Sequence, residues 1–152
     1  MKKKTIVLIM CVAMLALCLA ACGGSNGSSG GSASFTGDKY VNDGSDFSID
    51  TADLPENYTC VPDEQFTAGF TSLVDGTITT SSTYADVAAA FGDDGIRMDG
   101  IQYEGYGYYS WYSDKDYLSD TKVNVLVTFK DDNGKLTYFA YSSNGITPQD
   151  VK

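Results

Sequence analysis

The thiol of Cys22 is the side chain whose sequence surroundings point most directly to a chemical modification. It follows the small and apolar residues Leu19-Ala20-Ala21, at the end of an uncharged apolar run that begins at Ile6. Three lysines precede that run. A basic start, an apolar centre and small residues at the end are typical of a secretory signal peptide. Because the run is shorter than the roughly 20 apolar residues that span a membrane, we expect residues 1–21 to be cleaved off.

The residues Leu19-Ala20-Ala21-Cys22 resemble the bacterial lipobox, in which small residues admit the peptidase and the cysteine thiol accepts a diacylglyceryl group. Buried acyl chains contribute ~0.8 kcal/mol per CH₂ group, and two or three chains make the attachment lasting. The resemblance implies a lipoprotein that is anchored to the cell membrane of a bacterium, on its extracytoplasmic face, by lipid such as palmitate on Cys22. A plain signal peptide, or an uncleaved anchor that ends in a cysteine, is the alternative.

The segment after Cys22 has the composition of a flexible linker. Residues 23–34 contain only Gly, Ser, Asn and Ala, and such a stretch cannot bury enough apolar surface to offset the entropy lost on ordering. A flexible linker of about 15 residues has a root-mean-square span of roughly 20 Å. We therefore predict a lipoprotein signal peptide at 1–21, the lipidated cysteine and linker at 22–37, and one domain at 38–152.

The other cysteines and the absence of histidine argue against catalysis. Cys11 and Cys18 lie in the predicted signal peptide, which leaves Cys60 as the one thiol of the domain, and such a thiol is most often a small buried hydrophobe. The chain has no histidine, the commonest general base and zinc ligand. No motif sets two carboxylates in a defined geometry. We predict no enzyme and no cofactor; a lysine acting as a base is the remaining catalytic alternative.

The charge of the domain limits its partners. The chain has ten basic and twenty acidic residues, a formal charge of −10, and three of the basic residues are the lysines at positions 2–4. Removal of residues 1–21 leaves seven basic against twenty acidic residues, so the charge becomes −13. Such a domain repels nucleic acid and anionic lipid. A partner chosen by charge is therefore basic or a cation, and solubility is the simpler explanation of the same charge.

Two short helices are predicted before residue 93. Phe66 and Phe70 begin an apolar pattern of helical spacing, and a hairpin through residues 74–77 is the alternative assignment there. Thr83 followed by Asp86 is the pattern of a capping box, in which side chain and backbone cap each other at the start of a helix.

The remainder of the domain has the pattern of β-strands. Asn133-Gly134 favours a hairpin turn, residues 113–120 form a polar loop, and the alternation at Phe47–Ile49 permits a short edge strand. Three longer segments carry the alternation of strands: 101–113, 123–130 and 135–142. We therefore predict an α+β fold, with two short helices packed on one face of a three- to four-stranded antiparallel sheet.

A cluster of tyrosines is the feature that most suggests binding. Alternation along a continuous strand places three aromatic residues toward the helices: Tyr103, Tyr109 and Trp111. It places the predicted partner-binding residues on the open face: Tyr106, Tyr108 and Tyr112. Exposed Tyr and Trp are common interface residues, and they also stack on sugars. Cross-strand pairing that merely stabilises the sheet is the alternative, and Gly105 and Gly107 permit a bulge that shifts the facing.

Three aspartates in the predicted loop have the donor type for calcium but lack the pattern. Asp114, Asp116 and Asp120 offer oxygen ligands. The glycine and the terminal glutamate of the EF-hand loop are missing, and Lys115 lies among the acids. We therefore predict a solvated turn and no metal site.

The order of these pieces carries a resemblance to a known group of proteins. Its carriers are Phe66 and Phe70, Gly76, Thr83 with Asp86 and Val87, Phe91 and Gly92, Tyr109 and Trp111, Val127 and Phe129, and Gly134 to Leu136. The chain resembles single-repeat bacterial lipoproteins of unknown function, in the group of β-lactamase inhibitory protein (BLIP) and the SmpA/BamE envelope lipoproteins. The resemblance implies helices on one side of an antiparallel sheet and a binding role on the open face.

The function expected from these observations is non-covalent binding of a protein partner by a membrane-anchored extracytoplasmic lipoprotein. The aromatic sheet face provides the contact surface, and the role is that of an inhibitor or an envelope accessory. The alternative is a surface lipoprotein that binds a small ligand or a glycan with the same tyrosines.

Overall fold

The computed structural model describes residues 34–44, 54–118 and 121–152 of the chain. The compact unit begins at Ser34, a few residues before the predicted domain boundary at 38. No helix among the described residues is both long and apolar enough to cross a membrane. Several predictions concern residues outside the described ranges: the signal peptide, Cys22, most of the linker, the edge strand at Phe47–Ile49, and Asp120.

Helix α1 spans Asp63–Val74, which confirms the predicted helix and excludes the alternative hairpin. Its buried side chains include Phe66 and Phe70, one helical turn apart on the same apolar face. The helix has no side-chain cap of its own. The carboxylate of Asp114 instead accepts a hydrogen bond from the backbone N–H of Asp63 at 2.9 Å. The sheet thus satisfies one of the donors that every helix leaves free at its start.

Helix α2 spans Tyr84–Phe91 and begins with the predicted capping box. The hydroxyl of Thr83 accepts a hydrogen bond from the N–H of Asp86 at 3.4 Å, and the Asp86 carboxylate accepts one from the N–H of Thr83 at 2.7 Å. Gly92 follows the last helical residue with a φ of 69°. Glycine adopts this left-handed conformation at low cost and so ends many helices. Local sequence signals therefore set both ends of α2.

Within residues 34–44, 54–118 and 121–152, five strands form one sheet in the order β1-β2-β3-β4-β5. Strands β1 and β2 pair in parallel, and all other neighbours are antiparallel. The α+β prediction is confirmed, but the prediction of three to four antiparallel strands is wrong in number and in the β1–β2 pair. The two strands that sequence patterns did not predict, β1 and β2, have two and three residues, which is too short for a detectable alternation. The strands are β1 at Val41–Asn42, β2 at Ile96–Met98, β3 at Tyr106–Leu118, β4 at Thr121–Asp132 and β5 at Lys135–Asn144.

Strand β3 continues into the segment 113–120 that was predicted to be a polar loop. It extends to Leu118, with an irregular register between Tyr112 and Asp116. Lys122 of β4 donates a hydrogen bond to the carboxylate of Asp116 at 2.6 Å. The loop prediction is wrong because polar side chains that pair across strands support a sheet without apolar alternation.

The main hydrophobic cluster lies between the two helices and one face of the sheet. Phe91 of α2 stacks on Trp111 of β3, with ring centroids 5.0 Å apart, and both side chains are fully buried. Gly69 of α1 lies against Phe91, where an added Cβ atom would come within 2.6 Å of the ring atom Cδ1. The helices approach this closely because Gly69 has no side chain.

The opposite face of the sheet is partly covered by an amino-terminal strap, which comprises residues 34–44 and 54–61; only Phe35 and Val61, near its two ends, pack in the main cluster instead. Tyr40 and Tyr58 of the strap pack edge to face, with ring centroids 4.9 Å apart. Tyr58 also packs against Tyr112 of β3 at 6.2 Å, and its phenol oxygen accepts a hydrogen bond from the backbone N–H of Tyr112 at 3.2 Å. These contacts form a second, smaller hydrophobic cluster on this face.

Candidate functional site

The structure separates the three tyrosines that were predicted to bind a partner. Tyr106 is 39% exposed, and Tyr108 is half-buried on the same face. Tyr112 is only 1% exposed, because the ring of Tyr58 covers it. The expectation that Tyr112 is available to a partner is therefore wrong, and this residue belongs to the second hydrophobic cluster.

The three aromatic residues that were predicted to face the helices do not all lie on that face. Tyr109 and Trp111 are buried in the main cluster, as alternation along β3 predicts. Tyr103 instead precedes the strand and is 65% exposed. The N–H of Tyr106 donates to the carbonyl of Tyr103 at 3.1 Å, and Gly105 has a φ of 80°, which fits a tight turn. This turn interrupts the alternation, so Tyr103 lies beside Tyr106 on the open face and its predicted facing is wrong.

A β-bulge in β5 adds a further aromatic residue to the open face. Thr128 pairs with Ala140, whereas the next residue of β4, Phe129, pairs with Tyr138. Phe139 is therefore the extra residue of the bulge, and its side chain is 53% exposed. Sequence alternation could not identify this position, because the bulge depends on the register between two strands.

The open part of the sheet face carries an aromatic patch, which comprises Tyr103, Tyr106, Tyr108 and Phe139. Two close ring pairs build it: the centroids of Tyr103 and Tyr108 are 6.3 Å apart, and those of Tyr106 and Phe139 are 5.4 Å apart. The four rings surround an open depression of about 300 Å³. Thr128 and Ala140 complete its lining. The arrangement offers a shallow apolar surface rather than an enclosed cavity.

An acidic groove of about 830 Å³ adjoins the patch and shares Tyr103, Tyr106 and Tyr108 with it. Strand β2 contributes Arg97 to its lining. Its carboxylates come from the strap, from the residues after β2, from the turn before β3 and from the end of β4: Asp38, Asp99, Glu104 and Asp131. All four of these acidic residues are exposed, so the groove combines an aromatic end with an anionic lining.

The guanidinium of Arg97 is already paired within the groove. Its Nε donates to Asp99 at 2.7 Å and its Nη2 donates to the same carboxylate at 3.0 Å. Its Nη1 forms an ion pair with Asp38. The hydrogen bond with Asp99 is the main cause that raises the pKa of Arg97. The positive charge of Arg97 is thus held by carboxylates of the protein itself.

The phenols of Tyr108 and Tyr109 carry no charge at neutral pH. Burial raises the pKa of Tyr109, at the base of the groove, to about 12. Burial likewise raises the pKa of Tyr108 above the ordinary value for tyrosine. Tyr108, which is half-buried, can therefore offer a neutral hydroxyl and part of its ring, whereas the fixed charges of the groove are its carboxylates and Arg97.

Two of the aspartates considered as calcium ligands have structural partners. Asp114 accepts the hydrogen bond from the first residue of α1, and Asp116 pairs with Lys122. Among residues 34–44, 54–118 and 121–152, no group of three or more acidic or cysteine side chains is placed to hold a metal ion.

Cys60 lies in the strap and is half-buried. Burial is the main cause that raises the pKa of its thiol, which keeps the thiol protonated and weakly nucleophilic. Its partly buried side chain packs against the second hydrophobic cluster, so its contacts are those of a packing residue.

Comparison of the chain with protein-family models, with curated proteins and with solved structures finds no match. The resemblance to the β-lactamase inhibitory and SmpA/BamE-like group therefore stays a prediction.

Proposed function

We propose that this chain is a membrane-anchored extracytoplasmic lipoprotein whose domain binds a protein partner non-covalently through the aromatic patch. The observation that carries the proposal is the exposure of the patch. Three of its four rings are more than a third exposed: Tyr103, Tyr106 and Phe139. Adjacent exposed aromatic rings on a folded protein are typical of protein-interaction surfaces.

Burial of the patch by a partner contributes more free energy than ring pairing inside the sheet. Tyr103 and Phe139 each expose more than half of their surface, and an aromatic side chain buries about 200 Å² in total. A partner that covers both rings removes about 200 Å² from water, a gain of ~5 kcal/mol before the costs of association. Ring pairing stabilises the sheet by only ~0.5–1.5 kcal/mol per pair. The exposed area therefore favours a binding role over cross-strand stabilisation alone.

The shape of the patch favours a protein over a small ligand. Small molecules bind mostly in concave pockets that enclose them, whereas this depression of about 300 Å³ is open and shallow. The polar groove beside it is the observation that favours the second candidate, a glycan that stacks on the tyrosines. For a protein partner, the role of an inhibitor and the role of an envelope accessory both use the aromatic patch as the contact surface.

Site-specific photocrosslinking in the native envelope tests the proposal. Benzoylphenylalanine replaces Tyr103 or Phe139, so the reactive ring occupies the position of an exposed aromatic side chain. Tyr117, an exposed ring of β3 outside the patch, is the matched control position. We expect a protein adduct of one defined mass from the two patch positions and none from the control.

Three outcomes of this experiment distinguish the candidates. Adducts from Tyr103 and Phe139 with the same protein support the proposal. Adducts whose added mass is removed by glycosidases favour the glycan. Absence of adducts at both patch positions, or equal adducts from Tyr117, would contradict a binding role for the patch.

A further inference from the structure

We propose that the occupant of the patch and groove is a protein segment that presents an arginine or a lysine next to an apolar side chain. This inference rests on the proposed function and specifies the chemistry of the partner. The apolar side chain lies in the depression of the aromatic patch, and the cation lies over the tyrosines toward the carboxylates of the acidic groove.

The charges of the groove are unbalanced in a way that a cation corrects. Four carboxylates and one guanidinium line it, and that guanidinium, of Arg97, is held by Asp38 and Asp99. Glu104 and Asp131 form no ion pair with any cation of the described residues. A segment without positive charge would leave these two carboxylates uncompensated, and an acidic segment would be repelled by them.

Backbone geometry brings these two carboxylates to the same end of the patch. Glu104 lies between Tyr103 and Gly105, in the turn that precedes β3. The N–H of Asp131 donates to the carbonyl of Gly105 at 2.8 Å, so the turn is fixed to the end of β4. The carboxylate of Asp131 also accepts the N–H of Gly134 at 2.7 Å, which fixes this side chain on the hairpin turn. These backbone hydrogen bonds therefore hold both acids close to the turn that carries Tyr103, and all three residues line the groove.

The exposed tyrosine rings and the carboxylates together match a guanidinium better than any other side chain. A guanidinium stacks on an aromatic face and directs its planar N–H groups to carboxylate oxygens at the same time. An ammonium makes the same contacts as a point charge with less directional hydrogen bonding. Apolar atoms next to the cation meet Thr128, Phe139 and Ala140 in the depression. Arginine is thus the preferred cation, and lysine the weaker one.

Matched peptides test the inference on the full chain kept in a nonionic detergent. The probes are fluorescein-labelled, amidated pentapeptides of sequence Leu-Arg-Leu-Arg-Leu, Leu-Lys-Leu-Lys-Leu, Leu-Gln-Leu-Gln-Leu and Leu-Glu-Leu-Glu-Leu, followed by fluorescence anisotropy. We expect the arginine peptide to bind at least about fivefold more tightly than the glutamine peptide, since each exposed charge contact contributes a factor of about two to five. Raising the salt from about 0.05 M to about 0.5 M should remove most of this difference, because it screens exposed charges.

Two variants that each replace one glutamate by the uncharged glutamine locate the effect. Glu104→Gln removes one carboxylate of the groove without changing the size of the side chain, and it should weaken the arginine peptide about two- to fivefold while leaving the glutamine peptide unchanged. Glu56→Gln is the matched control, since Glu56 is an exposed glutamate of the strap outside the groove. It should leave both affinities unchanged.

The results that would overturn the inference are equal affinities for the arginine and glutamine peptides, equal losses in the two variants, or no binding of the arginine peptide at about 1 mM. These outcomes differ from failure of the proposed function. Adducts at Tyr103 and Phe139 to a neutral or acidic segment would sustain partner binding and refute the cationic partner. Absence of adducts would contradict both.

Discussion

Replacement of Tyr112 by alanine tests the division between buried and exposed tyrosines on the open sheet face. Tyr112 is 1% exposed, and truncation of a buried aromatic side chain lowers the free energy of unfolding by ~3–5 kcal/mol. Tyr106→Ala removes a partly exposed ring whose pairing with Phe139 contributes ~1 kcal/mol. A domain of this size is stable by ~5–15 kcal/mol, and over most of that range both variants fold, so that the difference between their free energies of unfolding is measurable.

Urea unfolding followed by tyrosine and tryptophan fluorescence provides the measurement. With a slope of about 2 kcal/mol per molar urea, the expected loss shifts the midpoint by about 2 M in Tyr112→Ala and by about 0.5 M in Tyr106→Ala. Unchanged slopes ensure that the shift reports stability rather than a change in the unfolded chain. Equal shifts in the two variants would refute the assignment of Tyr112 to a buried cluster.

A double-mutant cycle with Tyr58 identifies the cause of that burial. The rings of Tyr58 and Tyr112 are in edge contact, and the Tyr58 phenol oxygen accepts the Tyr112 backbone N–H. Residues in contact show interaction energies of about 0.5–3 kcal/mol in such cycles. We therefore expect Tyr58→Ala to cost about 0.5–3 kcal/mol less in the Tyr112→Ala background than in the native chain, while its contact with Tyr40 still contributes in both. Fully additive losses would indicate that another part of the chain covers Tyr112.

Three further predictions concern the helix pair, the capping box and the anchor. Gly69→Ala places a methyl group 2.6 Å from a ring atom of Phe91. Although alanine favours a helix, this overpacking should lower the free energy of unfolding by ~1–3 kcal/mol. A higher unfolding midpoint would contradict the packing of the two helices. Hydrogen bonds from Thr83 lower the pKa of Asp86 in the folded state below its ordinary value of 3.8. The ionised carboxylate therefore stabilises the folded state above pH 3.8. This stabilisation is lost as the pH falls through the lower, folded-state pKa. Asp86→Asn should therefore be less stable than the native chain at neutral pH and approach it in acid, as measured by urea midpoints from pH 7 to pH 2. Palmitate label should follow the native chain and disappear in Cys22→Ser, and retention of label in that variant would refute the predicted anchor.

Local sequence patterns predicted the elements whose signals lie within a few residues. Thr83 and Asp86 form the capping box that their spacing indicates, and the apolar spacing that begins with Phe66 marks helix α1. Tyr109 and Trp111 lie in the main cluster as alternation predicts. In each case the residues that cause the structure are neighbours in sequence, so their pattern is readable without knowledge of the fold.

The features that sequence patterns missed depend on contacts between distant segments. Tyr112 is covered by a ring more than fifty positions earlier in the chain, and alternation along β3 contains no information about that cover. Phe139 reaches the open face through a bulge defined by the register with β4. Strand β1 has two residues and forms through pairing with β2. Sequence patterns therefore predicted an aromatic sheet face as the candidate site, but they did not assign Tyr103 and Phe139 to that face.

The extent of the strap decides which tyrosines of β3 are available for binding. Tyr106 and Tyr112 lie on the same sheet face, so their different exposure comes from the cover over Tyr112 and not from alternation. The same strap carries Asp38, which forms an ion pair with Arg97 in the acidic groove. Loosening the strap would therefore expose a buried ring and at the same time change the charge balance of the groove. For this reason Glu104→Gln, which changes the charge of the groove at a residue outside the strap, is a sharper probe of binding than a variant of the strap.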